Sequence, residues 1–412
     1  MASLLIKNIQ HLIGLQEGPS LFKKGMAMAE VDSVSNAFIF CAGDKISSFG
    51  PMSACPDRAD VVIDGYNGLV LPSWCDSHTH LVFAASREEE FVYRIKGMSY
   101  SEIAEKGGGI LNSAAKLQQM DDGLLYELSA QRLEKIIRNG TGAIEMKSGY
   151  GLTLDAELKI LRVIRKLKEN YSVKIKATFL GAHAIPTEYK QNRQGYIQLI
   201  IEAMMPKIAE EGLADYCDVF CDKGFFTVEE TSKILEAGLK FGLKPKIHAN
   251  QLAVSGGVQV GIAHKAISVD HLEEIGEEEI LALKSSSTIP TLLPSCSYFL
   301  NIPYAPARRL IDEGLGIALA TDFNPGTSPS GNVPFLLSLA CTQMKLLPEE
   351  AFNAVTINGA CAMEIQQSHG SIAVGKTANL IVTKPMSTLA YLPYAFGDYH
   401  IKDVILNGEL FH

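Results

Sequence analysis

Short apolar runs alternate with longer amphipathic segments along most of this chain, from residue 70 onward. The alternation is typical of βα units, which build a parallel sheet whose strands are joined by helices. Helical segments such as 156–169 carry apolar residues at helical spacing, with charged residues on the opposite face. The eight runs that qualify as strands are 70–75, 142–146, 174–180, 216–220, 245–248, 266–269, 288–292 and 316–320. Eight such units predict an α/β fold, a (β/α)8 TIM-like barrel.

The two ends of the chain carry a different pattern, of short strands separated by turn signals such as Ala42-Gly-Asp44 and Asn407-Gly408. These strands are predicted at 4–9, 37–41, 45–49, 61–63, 378–383 and 401–406. We expect both termini to join in one small β-sandwich, residues 1–66 and 370–412, beside a barrel of residues 67–369. Because no chemically reactive cluster falls in it, we expect the sandwich to brace the barrel.

The composition of the 412-residue chain limits the class of ligand and the compartment. It is 47% hydrophobic and 20% charged, without a linker, as in a soluble globular protein. Its formal charge of -9, with no cluster of Lys and Arg, argues against nucleic acid or a membrane and favours a small-molecule partner. Eight scattered cysteines without a C-x-x-C pair, and the lack of a signal peptide or membrane span, predict free thiols in the cytoplasm.

Polar residues accumulate where the predicted strands end, which is where barrels of this type carry their catalytic groups. Five of the ten histidines occur at these positions. In chain order, the residues at strand ends are His78, His80, Glu145, Lys147, Tyr150, His183, His248, Gln251, His271, Asp322 and Asn324. The pattern predicts a functional site at this end of the barrel.

His78 and His80 are one residue apart in an extended segment, so their side chains point the same way and can bind one metal ion. A His-x-His pair alone also occurs in surface loops. A histidine after a strand is often a scaffold residue, and Thr-Asp is a common helix cap. Together with His248 and Asp322, however, the pair supplies three imidazoles and a carboxylate. The set predicts one divalent metal ion, and zinc and iron both suit it.

A metal ion with an open position favours hydrolysis, since it lowers the pKa of bound water from about 15.7 toward about 7 and polarises a carbonyl. Asp322 is our candidate to take the proton of the attacking water and pass it to the leaving nitrogen. His271 is our candidate to donate a hydrogen bond to the attacking oxygen or to the developing oxyanion. The alternative for His271 is a core histidine bonded to the backbone.

The chain resembles the metal-dependent amidohydrolase superfamily, through His78-Thr-His80, His248, His271 and Asp322. Longer phrases make it similar to the imidazolonepropionase family within that superfamily. They include Asp76-Ser-His-Thr-His80-Leu-Val-Phe-Ala-Ala-Ser-Arg87, Gly107-Gly-Gly-Ile110, Glu145-Met-Lys-Ser-Gly-Tyr150-Gly, Leu180-Gly-Ala-His183-Ala, His248-Ala-Asn-Gln251 and Thr321-Asp-Phe-Asn324-Pro-Gly326. The resemblance implies hydrolysis of the ring amide of 4-imidazolone-5-propanoate to N-formimidoyl-L-glutamate in histidine degradation, by a metal-bound hydroxide with Asp322 as proton shuttle.

The resemblance also implies a set of residues that bind the substrate. They are Arg87, Tyr150, His183 and Gln251, with Asn324, Gly326 and Thr327 on the far side of the pocket. The planar guanidinium of Arg87 suits the propionate of such a substrate, because it binds a carboxylate bidentately. A solvent-facing ion pair with the following glutamates is the alternative for Arg87, and a supporting role behind the site is the alternative for His183.

Three further expectations concern the pocket and the assembly. The Gly107-Gly-Gly109 run lacks the Lys-Ser/Thr of a phosphate loop, and we expect it to be a mobile segment covering the pocket mouth. Many heterocycle deaminases carry a glutamate where Gln251 stands, so Asp322 must carry more of the proton traffic. A homodimer is expected for a superfamily member.

Two other functions stay open. One is another cyclic amidohydrolase or a heterocycle deaminase, and the other is a non-catalytic metal-binding protein of the same fold. A binuclear centre would need a bridging lysine on the fourth strand, and the segment 214–220 contains none. One ion is therefore favoured, although Lys147 and Lys223 lie nearby in the sequence.

Overall fold

The computed structural model describes residues 2–16, 21–98, 102–103, 106 and 108–412. Gly107 lies outside the described residues, so the predicted covering segment is described only from Gly108 onward. No helix in the described part of the chain is long and apolar enough to cross a membrane.

Within the described residues, eight parallel strands follow one another around a barrel in chain order. They are β1 Trp74–Asp76, β2 Thr141–Lys147, β3 Lys174–Ala182, β4 Tyr216–Cys221, β5 Lys244–Ala249, β6 Ser268–His271, β7 Ile289–Leu292 and β8 Ala318–Leu319. The first and last strands meet just beyond their ends. There the N–H of His80 donates to the carbonyl of Phe323 (2.9 Å), and the N–H of Asp322 donates to that of His78 (3.0 Å). The predicted (β/α)8 barrel is confirmed.

The helices lie outside the strands, and the longer ones, such as Leu154–Asn170, bury one apolar face. The helix predicted at 156–169 spans Leu154–Asn170 and buries Leu161, Ile164 and Leu167, while the Thr153 side chain accepts a hydrogen bond from the N–H of Ala156. The α-helices are Glu88–Ile95, Ile110–Gln119, Asp122–Arg138, Leu154–Asn170, Arg193–Gln198, Met205–Glu211, Val228–Lys240, Gly257–Ala263, Glu277–Lys284, Pro294–Leu300, Ala307–Asp312, Val333–Met344, Pro348–Val355, Ile357–Ala362 and Tyr391–Tyr394. Leu199–Met204 forms a π-helical turn.

Both ends of the chain contribute to a second sheet, which confirms the predicted unit built from the two termini. Its strands are Ser3–Leu15, Asp32–Ala42, Lys45–Pro51, Val61–Asp64, Gly68–Pro72, Leu380–Pro385, Ile401–Leu406 and Glu409–Leu410. All of them belong to one hydrogen-bonded sheet, which encloses its own apolar core. Ile6, Ile39, Val70, Leu380 and Ile405 are fully buried in that core.

The run 70–75, predicted as one barrel strand, is divided between the two sheets, so this prediction was wrong in part. Gly68–Pro72 pairs with Ser3–Leu15 and Leu380–Pro385, and only Trp74–Asp76 pairs with β2. The crossing takes place at Ser73, between these two segments. An apolar run shows that a segment is buried but not which sheet it joins. The division at 66/67 and 369/370 stays a prediction.

Trp74 packs β1 against neighbouring segments, and replacing it tests how much this packing contributes to the stability of the barrel. The side chain is fully buried, its ring meets Phe352 edge-on at 6.2 Å, and Nε1 donates to the carbonyl of Asn139 at 2.9 Å. We expect Trp74→Ala to lower the free energy of unfolding by about 3–5 kcal/mol, as for other large cavities. Urea unfolding followed by circular dichroism measures this. Met26→Ala, at a side chain 91% exposed, is the control, and equal midpoints for both variants would contradict the expectation.

Candidate active site

Ten of the predicted site residues line one cavity of about 710 Å³ at the end of the barrel where the strands finish. They are His80, Arg87, Tyr150, His183, His248, Gln251, His271, Asp322, Asn324 and Thr327. His78 lies fully buried against the rings of His80 and His248. Gly326 contacts Arg87 in the cavity wall. The fold thus brings together residues spread over 250 positions of the sequence, as active sites at the strand ends of such barrels do.

The four predicted metal ligands converge on one point. Nε2 of His78 and Nε2 of His80 each lie 3.6 Å from Oδ1 of Asp322. Nε2 of His80 lies 3.4 Å from Nε2 of His248. All four side chains are buried, and Nε2 of His78 has no hydrogen-bond partner among the described residues. Buried polar atoms rarely lack a partner, so an orphaned imidazole nitrogen beside two more imidazoles and a carboxylate fits a divalent ion.

The local backbone turns these ligands toward one another. Thr79 forms a parallel bridge with Phe323, so His78 and His80 on either side of it share one face of the extended segment. The Asp76 carboxylate accepts hydrogen bonds from the N–H (2.9 Å) and hydroxyl (2.6 Å) of Thr321. Asp322 follows with a φ of 52°, a left-handed conformation that is costly for a residue other than glycine. Such strain persists only where the surroundings fix it, and here it aims the carboxylate at the histidines.

Two further carboxylates hold the histidine rings from behind. Oδ2 of Asp270 lies 2.6 Å from Nδ1 of His78. Oδ2 of Asp218 lies 3.0 Å from Nδ1 of His248, in a close but poorly aligned contact, and its Oδ1 accepts a hydrogen bond from the backbone N–H of that histidine (3.1 Å). Carboxylates in this position fix the tautomer and the orientation of metal-binding imidazoles.

Sequence reasoning missed Asp218 and Asp270, although the strands carry a signal. Polar residues recur at every second position of three strands, as Glu145 and Lys147 in β2, Lys246 and His248 in β5, and Ser268 and Asp270 in β6. Alternate residues of a strand share a face, and in a barrel one face points into the interior. A run of this kind therefore indicates a polar interior beneath the strand ends.

Burial controls the ionisation of the site. It lowers the pKa of His78 and of His80 well below the usual value, so both are neutral, as metal binding requires. Burial also lowers the pKa of His183, to about 3, and raises that of Asp322. Burial lowers the pKa of His271 too, but the nearby carboxylates of Glu273, 3.5 Å from Nδ1, Asp322 and Asp270 together outweigh burial and leave that pKa raised.

Arg87 forms the cationic part of the cavity wall. Its side chain is 5% exposed and lies against Gly326, where an added Cβ would stand only 1.3 Å from Nη2. Only glycine leaves room for the guanidinium at this position. Nη1 of Arg87 lies 3.7 Å from Oε2 of Glu90. The two side chains thus form an ion pair, but it is buried and not solvent-facing. Arg94, a residue that sequence reasoning missed, donates to the carbonyl of Gly326 at 2.9 Å.

The loop that carries Tyr150 is held by one buried carboxylate. Glu157 accepts hydrogen bonds from the backbone N–H groups of Gly149 (3.0 Å), Gly151 (2.7 Å) and Leu152 (2.8 Å). Gly149 has a φ of 107°, which a residue with a side chain rarely adopts. The loop is therefore rigid around Tyr150, whose ring faces the cavity. Glu157 was not identified from the sequence, because it lies inside an otherwise ordinary helix.

His183 and Gln251 line the cavity on either side of the metal ligands. The ring of His183 stacks on that of His80, with centroids 5.2 Å apart and planes at 12°, and its Nδ1 lies 3.0 Å from the carbonyl of Gly149. The side chain of Gln251 donates to Sγ of Cys296 at 3.4 Å, while its backbone N–H donates to Asp222. Both side chains are therefore oriented by neighbours and also reach the cavity.

Asn324 shapes the loop that follows Asp322. Its Oδ1 accepts hydrogen bonds from the N–H groups of Gly326 and Thr327, both at 2.8 Å. Its Nδ2 donates to the carbonyl of Asp322 (2.7 Å) and to the hydroxyl of Thr327 (2.8 Å). The Asp322 carboxylate, a predicted metal ligand, and Gly326, which contacts Arg87, thus belong to one rigid loop. Lys223, by contrast, is exposed and takes no part in the site.

Comparison with known proteins agrees with this site. The chain matches the amidohydrolase family over residues 69–411. It is 56% identical to the imidazolonepropionase of Flavobacterium johnsoniae over 407 residues, which cover 98% of this chain and 99% of the relative. The imidazolonepropionase of Christiangramia forsetii is 53% identical over 409 residues, covering 99% and 100%. That of Thermoanaerobacter pseudethanolicus is 41% identical over 405 residues, covering 98% and 96%.

Solved structures with the same fold share little sequence. A triazine hydrolase from Arthrobacter aurescens superposes with a TM-score of 0.76 at 14% identity, covering 100% of this chain and 94% of that one. The guanine deaminase of Escherichia coli superposes with a TM-score of 0.76 at 14% identity, covering 100% and 99%. These structures agree in fold alone, whereas the full-length relatives agree in sequence. The chain therefore belongs to the amidohydrolase family and, within it, to the imidazolonepropionases, which makes it a hydrolase of cyclic amide C–N bonds.

Proposed function

We propose that this protein hydrolyses the ring amide of 4-imidazolone-5-propanoate to N-formimidoyl-L-glutamate, a step of histidine degradation. The proposal rests mainly on one observation. The buried guanidinium of Arg87 lines the same cavity as a cluster of side chains that could bind a metal ion. A ring with a carboxylate tail matches both features, because its carbonyl fits the metal cluster and its tail fits the cation. The names of the full-length relatives agree with this reaction.

We infer that His78, His80, His248 and Asp322 hold one divalent ion, zinc or iron. Three imidazoles and one carboxylate suit either metal. A bound ion would polarise the ring carbonyl and lower the pKa of a water molecule beside it. A zinc complex of a structural neighbour, an atrazine chlorohydrolase variant that superposes with a TM-score of 0.72 at 14% identity, supports the presence of a metal site in this fold.

Asp322 is the proposed proton carrier. Its carboxylate takes a proton from the attacking water, whose oxygen bonds to the ring carbonyl carbon. The ring C–N bond then breaks, its electron pair stays on nitrogen, and Asp322 delivers the proton there. Burial raises the pKa of this carboxyl, so it holds a proton more readily than an exposed aspartate would. Gln251 is an amide and takes no part in proton transfer.

His271 is the proposed hydrogen-bond donor to the oxygen that becomes negatively charged. The Glu273 carboxylate beside its Nδ1 favours the protonated ring, which donates from both nitrogens. The substrate itself is positioned by Arg87 at the propionate, by Tyr150, His183 and Gln251 around the ring, and by Asn324, Gly326 and Thr327 on the far wall. Without a cation at the propionate, burying that carboxylate would be costly.

We also propose that the protein works as a homodimer in the cytoplasm, with a small molecule as its partner and neither nucleic acid nor a membrane. The eight cysteines are all free thiols, which suits a reducing compartment. Tyr394, Phe396 and Tyr399 are more than half exposed near the C-terminus, and exposed aromatic residues of this kind favour contact between subunits.

Replacing Arg87 tests the substrate assignment. We expect Arg87→Met to lower kcat/KM for imidazolonepropanoate about 10²- to 10³-fold, mainly through KM, since loss of a buried charged hydrogen bond costs about 2–5 kcal/mol. Steady-state kinetics measure this, with Arg165→Met as the control because that side chain is 43% exposed and outside the cavity. Equal turnover by the unchanged protein of a ring without the carboxylate would contradict the assignment.

Replacing His248 tests the ligand set. We expect His248→Ala to bind much less than one equivalent of metal after dialysis and to lose activity, because one of four donors is gone. Elemental analysis of the purified variant measures the metal. His264→Ala, which removes a half-buried histidine hydrogen-bonded to Ser232, is the control and should keep a full equivalent. Stoichiometric metal in His248→Ala would count against the proposed ligands.

Replacing Glu273 tests the protonated form of His271. A raised pKa means that His271 keeps its proton to a higher pH than an ordinary histidine and loses it as the pH rises through that pKa. Without the Glu273 carboxylate, the largest influence that raises the pKa of His271 is gone, so that pKa falls. We expect Glu273→Gln to shift the basic limb of kcat/KM to lower pH, by about one unit, as measured by a pH–rate profile. Glu274→Gln, at an exposed neighbour, should leave the limb in place, and an unshifted limb in Glu273→Gln would disprove the role.

A further inference from the structure

Five ionisable side chains lie buried in the barrel interior behind the metal centre. They are Glu145, Lys147, Asp218, Lys246 and Asp270, each no more than 1% exposed. None of these five side chains takes part in a step of the proposed reaction. A buried charge is costly, and well-packed apolar side chains of the same volume are often at least as stabilising as a buried ion pair. The group is therefore poorly explained by stability alone.

Lys147 contacts three of the other four members of this group. Its Nζ lies 2.6 Å from Oε1 of Glu145, 2.8 Å from Oδ2 of Asp218 and 3.6 Å from Oδ2 of Asp270. An ammonium group has three donors and no acceptor, and two of the donors are engaged by Glu145 and Asp218. It therefore has no lone pair for a metal ion, so Lys147 is not the bridging ligand of a binuclear centre.

The two aspartates that contact Lys147 are those that contact the metal-binding rings. Oδ2 of Asp270 faces Nδ1 of His78, and Oδ2 of Asp218 faces Nδ1 of His248, at 2.6 Å and 3.0 Å. In each carboxylate, the same oxygen atom meets both the imidazole and the ammonium group. One cation thus connects two rings that come from different strands, β5 and the segment after β1.

We propose that Lys147 is a positioning residue of the metal centre. By contacting both Asp218 and Asp270, its ammonium group fixes these carboxylates in the orientation that places the ring protons of His248 and His78 on Nδ1. Nε2 of both rings then keeps its lone pair and faces the ion. The inference rests on the ligand set of the proposed function, but it concerns metal affinity rather than the identity of the substrate.

Lys246 provides a matched control inside the same group. It is equally buried and contacts Glu145 together with the carbonyls of Ser77 and Ala362, both at 3.2 Å. Burial raises the pKa of Asp270, and the charges of both Lys246 and Lys147 lower it, but among the described residues Lys246 makes no ion pair with either aspartate. Lys246→Met therefore removes a buried cation of the same kind but leaves the contacts to the aspartates intact.

The first test measures zinc affinity by competition with a chromophoric chelator. We expect Lys147→Met to bind zinc about 10- to 100-fold more weakly than the unchanged protein, as other changes behind metal ligands do. Lys246→Met should lose clearly less. Unchanged affinity in Lys147→Met, or an equal loss in both variants, would overturn the proposal. Thermal unfolding of the metal-free proteins separates a loss of affinity from a loss of folding.

The second test needs no variant. Nitrogen-15 NMR of the metal-free protein with labelled histidine distinguishes rings protonated at Nδ1 from rings protonated at Nε2. We expect His78 and His248 to be protonated at Nδ1, and protonation at Nε2 would overturn the proposal even if Lys147→Met does not fold. Neither test uses turnover. If the protein failed to hydrolyse imidazolonepropanoate, the proposed function would fall while the role of Lys147 would still be decided.

Discussion

The closure of the barrel is the constraint on which the rest of the structure depends. Two backbone hydrogen bonds join the segments that follow β1 and β8, and three of the four residues involved are His78, His80 and Asp322. The bonds that close the cylinder are thus made by the backbone of the proposed metal ligands. A barrel that failed to close would separate the carboxylate from the histidines, so folding and assembly of the metal site are one event.

Much of this arrangement can be predicted from the sequence, because alternation and strand ends are local properties. The barrel and the convergence of His78, His80, His248 and Asp322 follow from apolar runs and from the rule that strand ends share one edge. The division of the run 70–75 between two sheets cannot be predicted in this way. Its two halves are similarly hydrophobic and differ only in the strands with which they pair. Asp218 and Asp270 were missed for a related reason, because their partners lie on other strands, and the contacts of Lys147, a residue identified at a strand end, were missed for the same reason.

The cavity combines two kinds of electrostatic environment. Around the proposed metal ligands, burial keeps His78 and His80 neutral, which leaves their lone pairs available for an ion. At the other end, Arg87 keeps a positive charge in a buried position beside Gly326 and Glu90. A single loop, 322–327, runs from one environment to the other and is held by the side chain of Asn324. One short, rigid segment therefore connects the proposed metal-binding carboxylate of Asp322 with Gly326, against which the Arg87 guanidinium packs.

The second sheet, which both ends of the chain build, can be completed only late in the synthesis of the chain. Gly68–Pro72 pairs on one side with Ser3–Leu15, near the N-terminus, and on the other with Leu380–Pro385. The ribosome synthesises the chain from the N-terminus. More than 300 further residues must therefore be added after this strand before its second partner emerges, and until then one of its edges is unpaired. An open apolar edge invites pairing with other chains. The last strands therefore protect the first ones from aggregation, and truncation near the C-terminus would expose an edge at the opposite end of the sequence.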